Sequence, residues 1–245
     1  MKHSLKNRLA GWLFMGLIAV NYVLLIQFIQ LYLVIRRRKR DLAWVGFYYF
    51  NLMFKVFGVK LIVEGRENIP KDKSFIVLAN HQSFIDIGSL ISVICPLAFL
   101  AKKELFTTPF FGASLKFMGC LPVDRGNREA NAALPAVMQA RIRDEHYNYC
   151  VFPEGTRSQR GELLPFKTGI FRMVKDAPVP VLPVTLVDTG KVMPKKGLSL
   201  YSGTIRMYIH PVILPEEIET LSPHGIRDRV RDTIATKLPM SVVSP

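Results

Sequence analysis

Short β-branched runs alternate with helical stretches from residue 59 onwards, and this alternation constrains the fold more than any other feature of the chain. Seven strands are predicted, at Lys60–Val63, Phe75–Leu78, Ala98–Ala101, Leu121–Val123, Tyr149–Phe152, Val181–Val187 and Thr204–Ile209. Five helices are predicted, at Phe84–Ile94, Phe106–Met118, Arg128–Asp144, Thr168–Asp176 and Pro223–Lys237. This spacing is typical of an α/β fold, a layered, largely parallel mixed sheet flanked by helices. Pro135 interrupts the third helical pattern and predicts a kink or a late start there.

An uncharged run, Leu9–Ile35, precedes the sheet pattern and is 27 residues long. About 20 apolar residues span the hydrocarbon core of a bilayer, so the run predicts a membrane-anchoring helix with some tilt. A buried soluble helix is the alternative, although soluble helices rarely run so far without a charge. The basic block Arg36–Arg40 follows the run, which predicts that the bulk of the chain faces the cytoplasm.

The next segment, 41–58, holds seven of the chain's 16 Phe, 8 Tyr and 2 Trp residues. Such enrichment is typical of a helix at the membrane–water interface, and an aromatic core helix is the alternative. Polar Asn21, Gln27 and Gln30 in the uncharged run leave a second arrangement open, in which both segments form a helical pair that enters one leaflet. We therefore expect residues 1–58 to form a membrane anchor (apolar helix 9–35, basic cluster 36–40, interfacial helix 41–58) and residues 59–245 to form the main domain.

The charge of the chain indicates an anionic partner, because its formal net charge is +14. The first forty residues carry eight Lys or Arg and no Asp or Glu. Because this charge flanks the membrane-length run, it favours a lipid surface, and no nucleic-acid partner is expected. Three widely spaced cysteines, Cys95, Cys120 and Cys150, match neither a disulfide framework nor a zinc site, and no metal is expected.

A histidine follows the buried strand Phe75–Leu78, at the edge of the sheet where open α/β folds bind ligands. His81 is followed five residues later by Asp86. Five residues along an ideal helix turn by about 500°, so the two side chains meet only if His81 lies in the turn before the helix. The carboxylate would then fix the imidazole tautomer and leave the other ring nitrogen as a base. A structural histidine is the alternative.

Cations follow two further strands, and a third cation lies before a predicted helix. Arg157 lies in the turn Glu154–Gly155–Thr156–Arg157, where it offers a planar fork for a phosphate and Gly155 lets the backbone approach a ligand. A solvated arginine in a surface turn is the alternative. Arg125 follows Asp124, and the two residues alone could form a surface ion pair. Lys167 precedes a predicted helix start, which favours an anion there.

Four segments together resemble the glycerolipid acyltransferase family, over about residues 59–215. They are NHQSFID at 80–86, GCLPVDR at 119–125, FPEGTRS at 152–158 and VPVLPV at 179–184, in the family's order and spacing. The segment AKKEL at 101–105, with Lys103, is similar to the family as well. Pro122 departs from the pattern, at a position where relatives more often have an aromatic or aliphatic residue.

The resemblance implies that residues 59–245 are a catalytic domain that joins a fatty acyl thioester to the free hydroxyl of a lysophosphatidate. It implies that His81 is the general base and that Asp86 orients it. It implies an acceptor phosphate among Lys103, Arg125 and Arg157, with the acceptor site shaped by Glu154, Gly155 and Thr156. The Gly155 amide is a candidate donor to the oxyanion.

The implied acyl donor is acyl-CoA or acyl carrier protein, with membrane lipids as further partners and no cofactor. No nucleophile elbow is present, which agrees with direct transfer without a covalent enzyme intermediate. An acyltransferase for another lysophospholipid or a lyso-aminolipid is the first alternative. A catalytically silent membrane-binding or scaffold protein on this fold is the second.

Overall fold

A single seven-stranded sheet organises the chain in the computed structural model, which describes residues 5–21, 27–36, 42–94, 96–109, 111–124, 126–127, 129–159, 161–176, 178–195 and 199–239. The strands are β1 (Val59–Glu64), β2 (Ile76–Ala79), β3 (Ala98–Lys102), β4 (Leu121–Val123), β5 (Tyr149–Val151), β6 (Val181–Val187) and β7 (Gly203–Ile209). Their order is β1-β7-β6-β2-β5-β3-β4. All neighbours are parallel except β6 and β7. The predicted α/β class with a largely parallel mixed sheet is confirmed.

The helices of the main domain are α4 (Ile85–Ile91), α5 (Phe111–Phe117), α6 (Leu134–Asp144), α7 (Gly169–Asp176), α8 (Thr189–Val192), α9 (Pro215–Thr220) and α10 (Pro223–Ala235). Short 3-10 segments lie at Arg66–Asn68 and Lys103–Thr107. Helix α6 starts late, at the residue before Pro135, because proline fits the first turn of a helix. The predicted start of an α-helix at Phe106 is wrong. Phe106 and Thr107 belong to the 3-10 segment, and helix α5 begins at Phe111, after Pro109.

The N-terminal segment holds three helices, α1 (Leu5–Asn21), α2 (Gln27–Ile35) and α3 (Leu42–Val56). The uncharged run is thus described as two helices, and its residues 22–26, like most of the basic cluster 36–40, lie outside the described residues. Within the described residues, no helix is both long and apolar enough to cross a membrane. The predicted transmembrane helix is not found in the described part of the run, and the predicted membrane anchor stays a prediction.

Helices α1 and α3 share a hydrophobic cluster with the main domain. Phe14 and Met53 are buried there against Ile85 at the start of α4 and Met193 after α8. The Asn51 amide donates to the carbonyl of Ser92 at 3.1 Å, which also joins α3 to the end of α4. A larger core lies around the sheet and includes the buried faces of α6, α7 and α10. The N-terminal segment is consequently packed against the domain that carries the candidate site.

Candidate active site

The candidate site lies at the carboxyl ends of two neighbouring strands. Strands β2 and β5 run parallel, with Leu78 paired to Val151. The turn that follows β2 therefore lies beside the turn that follows β5, and the segments 80–86 and 152–158 meet at this edge. The sheet order brings together two segments that lie some 70 residues apart in the chain.

His81 and Asp86 are in direct contact across the start of helix α4. His81 lies in the turn before the helix and Asp86 in its first turn, and His81 Nδ1 is 2.8 Å from Asp86 Oδ2. The same oxygen accepts from the backbone N–H of Gln82 at 2.7 Å and of Ser83 at 2.8 Å. Asp86 is fully buried. A buried carboxylate held by three donors keeps a proton on Nδ1 and leaves Nε2 of the neutral ring with its lone pair.

The imidazole is also fixed from its face. Its ring stacks on Phe152, with centroids 3.9 Å apart and an interplanar angle of 12°. The His81 side chain keeps 14% of its surface exposed. In the part of the chain that the structure describes, Nε2 has no hydrogen-bond partner. One accessible nitrogen is thus available to a substrate hydroxyl.

Both backbone groups of His81 are held by the turn after β5. Its N–H donates to Glu154 Oε1 at 2.7 Å, and its carbonyl accepts from the N–H of Ser158 at 2.8 Å. The other Glu154 oxygen accepts from the N–H of Leu164 at 3.1 Å. Burial raises the pKa of Glu154 to about 8. Glu154 is only 3% exposed, so it shapes the site through the backbone of His81.

Gly155 and Thr156 complete this turn. Gly155 has φ +68°, and a Cβ there would lie 2.8 Å from Lys167 Nζ. The Gly155 N–H, the candidate donor to the oxyanion, donates to the carbonyl of Phe152 at 2.9 Å in this structure. Thr156 is exposed beside it.

The three residues predicted to bind the acceptor phosphate, Lys103, Arg125 and Arg157, differ in what the structure shows of their surroundings. Lys103 forms an ion pair with Asp124, since β3 and β4 are neighbours, and this contact raises the Lys103 pKa. Arg125 lies outside the described residues. Arg157 is half-buried, and its guanidinium has no partner among the residues that the structure describes.

One cation at this edge was missed by the sequence analysis. The Lys195 ammonium donates to the carbonyl of Arg157, which brings a loop from beyond β6 onto the turn after β5. Its signal in the sequence is a Pro-Lys-Lys run shortly after a strand, which by itself is indistinguishable from a solvated loop. Among all the described residues, including those of the candidate site, no three His, Cys, Asp or Glu side chains lie close enough together to hold a metal ion.

Comparisons with known proteins place the chain in a family and support its fold. The Acyltransferase family pattern matches residues 60–187. A 1-acyl-sn-glycerol-3-phosphate acyltransferase of Chlamydomonas reinhardtii is 34% identical over 75% of this chain and 54% of its own length, so the chain spans about half of that relative. One from Borreliella burgdorferi is 33% identical over 74% of this chain and 72% of its own. The crystal structure of the 1-acyl-sn-glycerophosphate acyltransferase PlsC from Thermotoga maritima superposes with a TM-score of 0.78, at 28% identity, over 94% of each chain.

Proposed function

The chain belongs to the acyltransferase family, and we propose that it transfers a fatty acyl group from acyl-CoA or acyl carrier protein to the free hydroxyl of 1-acylglycerol 3-phosphate, giving phosphatidate. The names of its relatives support this acceptor. The observation that carries the proposal is the contact between His81 Nδ1 and Asp86 Oδ2, beside an Nε2 that has no partner among the described residues. No cofactor beyond the acyl donor is proposed.

In the proposed reaction His81 Nε2 takes the proton of the acceptor hydroxyl as its oxygen attacks the thioester carbonyl carbon. The tetrahedral intermediate then collapses, the C–S bond breaks, and the imidazolium returns the proton to the departing thiolate. Asp86 stabilises the imidazolium and holds the ring, as its three donors and complete burial indicate.

The acceptor phosphate is proposed to lie among Arg125, Arg157 and Lys103. The Arg157 guanidinium, which has no partner in the described part of the chain, supports this, because a doubly charged phosphate binds best to several donors and arginine presents a planar fork. Lys103 would contribute charge while it stays paired with Asp124. Thr156 and Gly155 form the exposed side of the same turn.

We also propose that residues 1–58 hold the enzyme on the cytoplasmic membrane, with the catalytic domain on its cytoplasmic side. Large exposed apolar side chains are concentrated in α1–α3, including Phe28 (73% exposed), Ile35 (71%) and Tyr48 (69%). Exposed apolar surface of this extent is typical of a lipid-facing or protein-binding surface. The uncharged run is described as the two helices α1 and α2, and the aromatic segment as α3. This supports the alternative in which the run and the aromatic segment together enter one leaflet.

An acceptor-by-donor activity matrix on the purified protein tests the proposal. Lysophosphatidate, other lysophospholipids, a lyso-aminolipid and monoacylglycerol are offered with acyl-CoA or acyl carrier protein. Lysophosphatidate should be the best acceptor. Higher activity with another lysophospholipid or with the lyso-aminolipid would favour an acyltransferase for that acceptor.

His81→Ala should lower turnover by roughly 10²–10⁴, the range for loss of a general base, with the fold intact. His224→Ala is the matched control, because His224 is exposed at the start of α10. Activity of His81→Ala within threefold of wild type would refute the assignment of the base.

A further inference from the structure

Lys195 lies in a loop whose start is fixed against the candidate active site. The loop leaves the carboxyl end of β6, passes through α8 and reaches Met193, which is 2% exposed. The Met193 N–H donates to the Thr189 carbonyl at 2.8 Å, and the Met193 carbonyl accepts the hydroxyl of Ser83. Ser83 belongs to the turn of His81, so Lys195 extends from an anchored position two residues away from this contact.

A single peptide unit connects Lys195 with His81. The carbonyl of Arg157 accepts the Lys195 ammonium, and the N–H of the same peptide, on Ser158, donates to the His81 carbonyl at 2.8 Å. A trans peptide is planar, so its carbonyl and N–H point in opposite directions at a fixed separation. The ammonium is therefore held close to both Arg157 and the turn that carries the base.

The charges around Lys195 indicate that an anion belongs there. Lys195 and Arg157 are both half-buried, and neither has a carboxylate partner among the described residues. By contrast, Lys191 in the same loop pairs with Asp188 at 2.8 Å. The ammonium is bonded to the main chain of Arg157, so two positive charges belong to the same turn, where an anionic ligand that both can reach would be favoured. The Lys195 ammonium has three donors, of which the Arg157 carbonyl uses one.

We propose that Lys195 binds the phosphate of the lysophosphatidate acceptor, together with Arg157. This assignment rests on the proposed function and adds to it a residue outside all the segments that carry the family resemblance. The loop after β6 then helps to select a phosphorylated acceptor. The phosphates of the acyl donor are a second source of the same chemistry, and the experiment separates the two.

The test compares Lys195→Met, Lys195→Arg and the control Lys191→Met, which removes a cation of the same loop that is 78% exposed. Lys195→Met should lower kcat/KM for lysophosphatidate about tenfold or more, mainly through KM, as expected for one lost charge-assisted hydrogen bond. Its activity with monoacylglycerol and its KM for acyl-CoA should stay within about twofold of wild type. Lys195→Arg should retain most of the activity. Competitive inhibition by glycerol 3-phosphate, the headgroup alone, should weaken in the same proportion in Lys195→Met.

Three results would overturn the assignment while the proposed function stands. Equal losses with lysophosphatidate and monoacylglycerol would make Lys195 a structural residue, and a change confined to the KM for acyl-CoA would assign the phosphate to the donor. Full activity of Lys195→Met would refute any binding role. Failure of the wild-type protein to acylate lysophosphatidate would instead overturn the proposed function, and this inference with it.

Discussion

At the scale of single residues, the two oxygens of Asp86 have different surroundings, and this makes the carboxylate testable. Oδ2 accepts three hydrogen bonds, whereas Oδ1 has no partner in the described part of the chain. An asparagine can keep its carbonyl oxygen in the Oδ2 position and place its amide where Oδ1 lies. Asp86→Asn should therefore fold, lose the charge that stabilises the imidazolium, and lower kcat by roughly 10²–10⁴.

Steady-state kinetics together with thermal unfolding checks this expectation. Asp144→Asn is the matched control, since that carboxylate is 56% exposed and pairs only with neighbouring Arg143 among the described residues. Unchanged activity of Asp86→Asn would show that the charge of Asp86 does not assist His81. Loss of folding would assign the residue to stability.

At the scale of secondary-structure elements, helix α4 links the aromatic helix α3 to the site. Its first turn carries Asp86, and its next turn packs on α3 at Gly88, where a Cβ would lie 2.6 Å from the Phe50 ring. Gly88→Ala should therefore lower the free energy of unfolding by about 1–3 kcal/mol through overpacking. This is the opposite of the stabilisation of up to ~1 kcal/mol that alanine gives an unhindered helix.

Gly169→Ala in α7 is the control for Gly88→Ala, because nothing lies within 4 Å of a Cβ at Gly169. It should be neutral or slightly stabilising. Urea unfolding of both variants gives the comparison. If Gly88→Ala proves as stable as Gly169→Ala, α3 does not pack closely on α4.

At the scale of the whole molecule, the apolar surface of α1–α3 should hold the protein on lipid. Leu13 (58% exposed), Phe28 and Leu52 (55%) are on this surface. Burying one such side chain contributes about 1.5–3 kcal/mol, so the triple change to Gln should weaken vesicle binding far more than tenfold. Wild-type protein should stay on anionic vesicles through a wash at about 1 M salt, where surface charges are screened.

Leu214→Gln, at a residue 54% exposed in the main domain, is the control for vesicle sedimentation. Release of the wild-type protein by salt alone would show that basic residues, and not the apolar surface, hold it there. Deleting residues 1–58 should cause aggregation, because Phe14 and Met53 cover Ile85 of the main domain.

Two buried groups give the whole molecule an opposing dependence of stability on pH. Burial lowers the pKa of His210 to about 4 from an ordinary 6.5. The stability that its neutral ring contributes is therefore complete above about pH 6.5 and is lost as the pH falls towards 4. Burial raises the pKa of Glu154 to about 8 from an ordinary 4.5. The stability that its neutral carboxyl contributes is therefore complete below about pH 4.5 and is lost as the pH rises through 8.

Thermal unfolding from pH 4 to pH 9 separates the two groups. His210→Gln, which can still bond to the Thr185 hydroxyl, should flatten the acid side of the profile. Glu154→Gln should remove the fall in stability between about pH 4.5 and pH 8, and Glu219→Gln, at an exposed position, should leave the whole profile unchanged. Parallel profiles for wild type and both buried variants would contradict the role of burial.

The sequence by itself determined the strands and the candidate base. Local runs of β-branched and apolar residues predicted all seven strands, because such a run is a local property and the central strands β2, β5 and β6 are buried at every residue. The spacing of His81 and Asp86 limited their contact to a turn followed by a helix, which is how the structure has it. Proline explained where helix α6 begins. The catalytic role of these residues stays a prediction.

Only the tertiary structure decided which turns meet. The order β6-β2-β5-β3-β4 depends on contacts between distant segments, which no local pattern encodes. That order placed Glu154 under the backbone of His81, paired Lys103 with Asp124, and brought Lys195 onto the carbonyl of Arg157. The local sequence around a charged residue does not show whether its side chain is solvated, ion-paired or able to bind a ligand. Its partners are set by strand order and by the path of loops, and these are settled only when the core is packed.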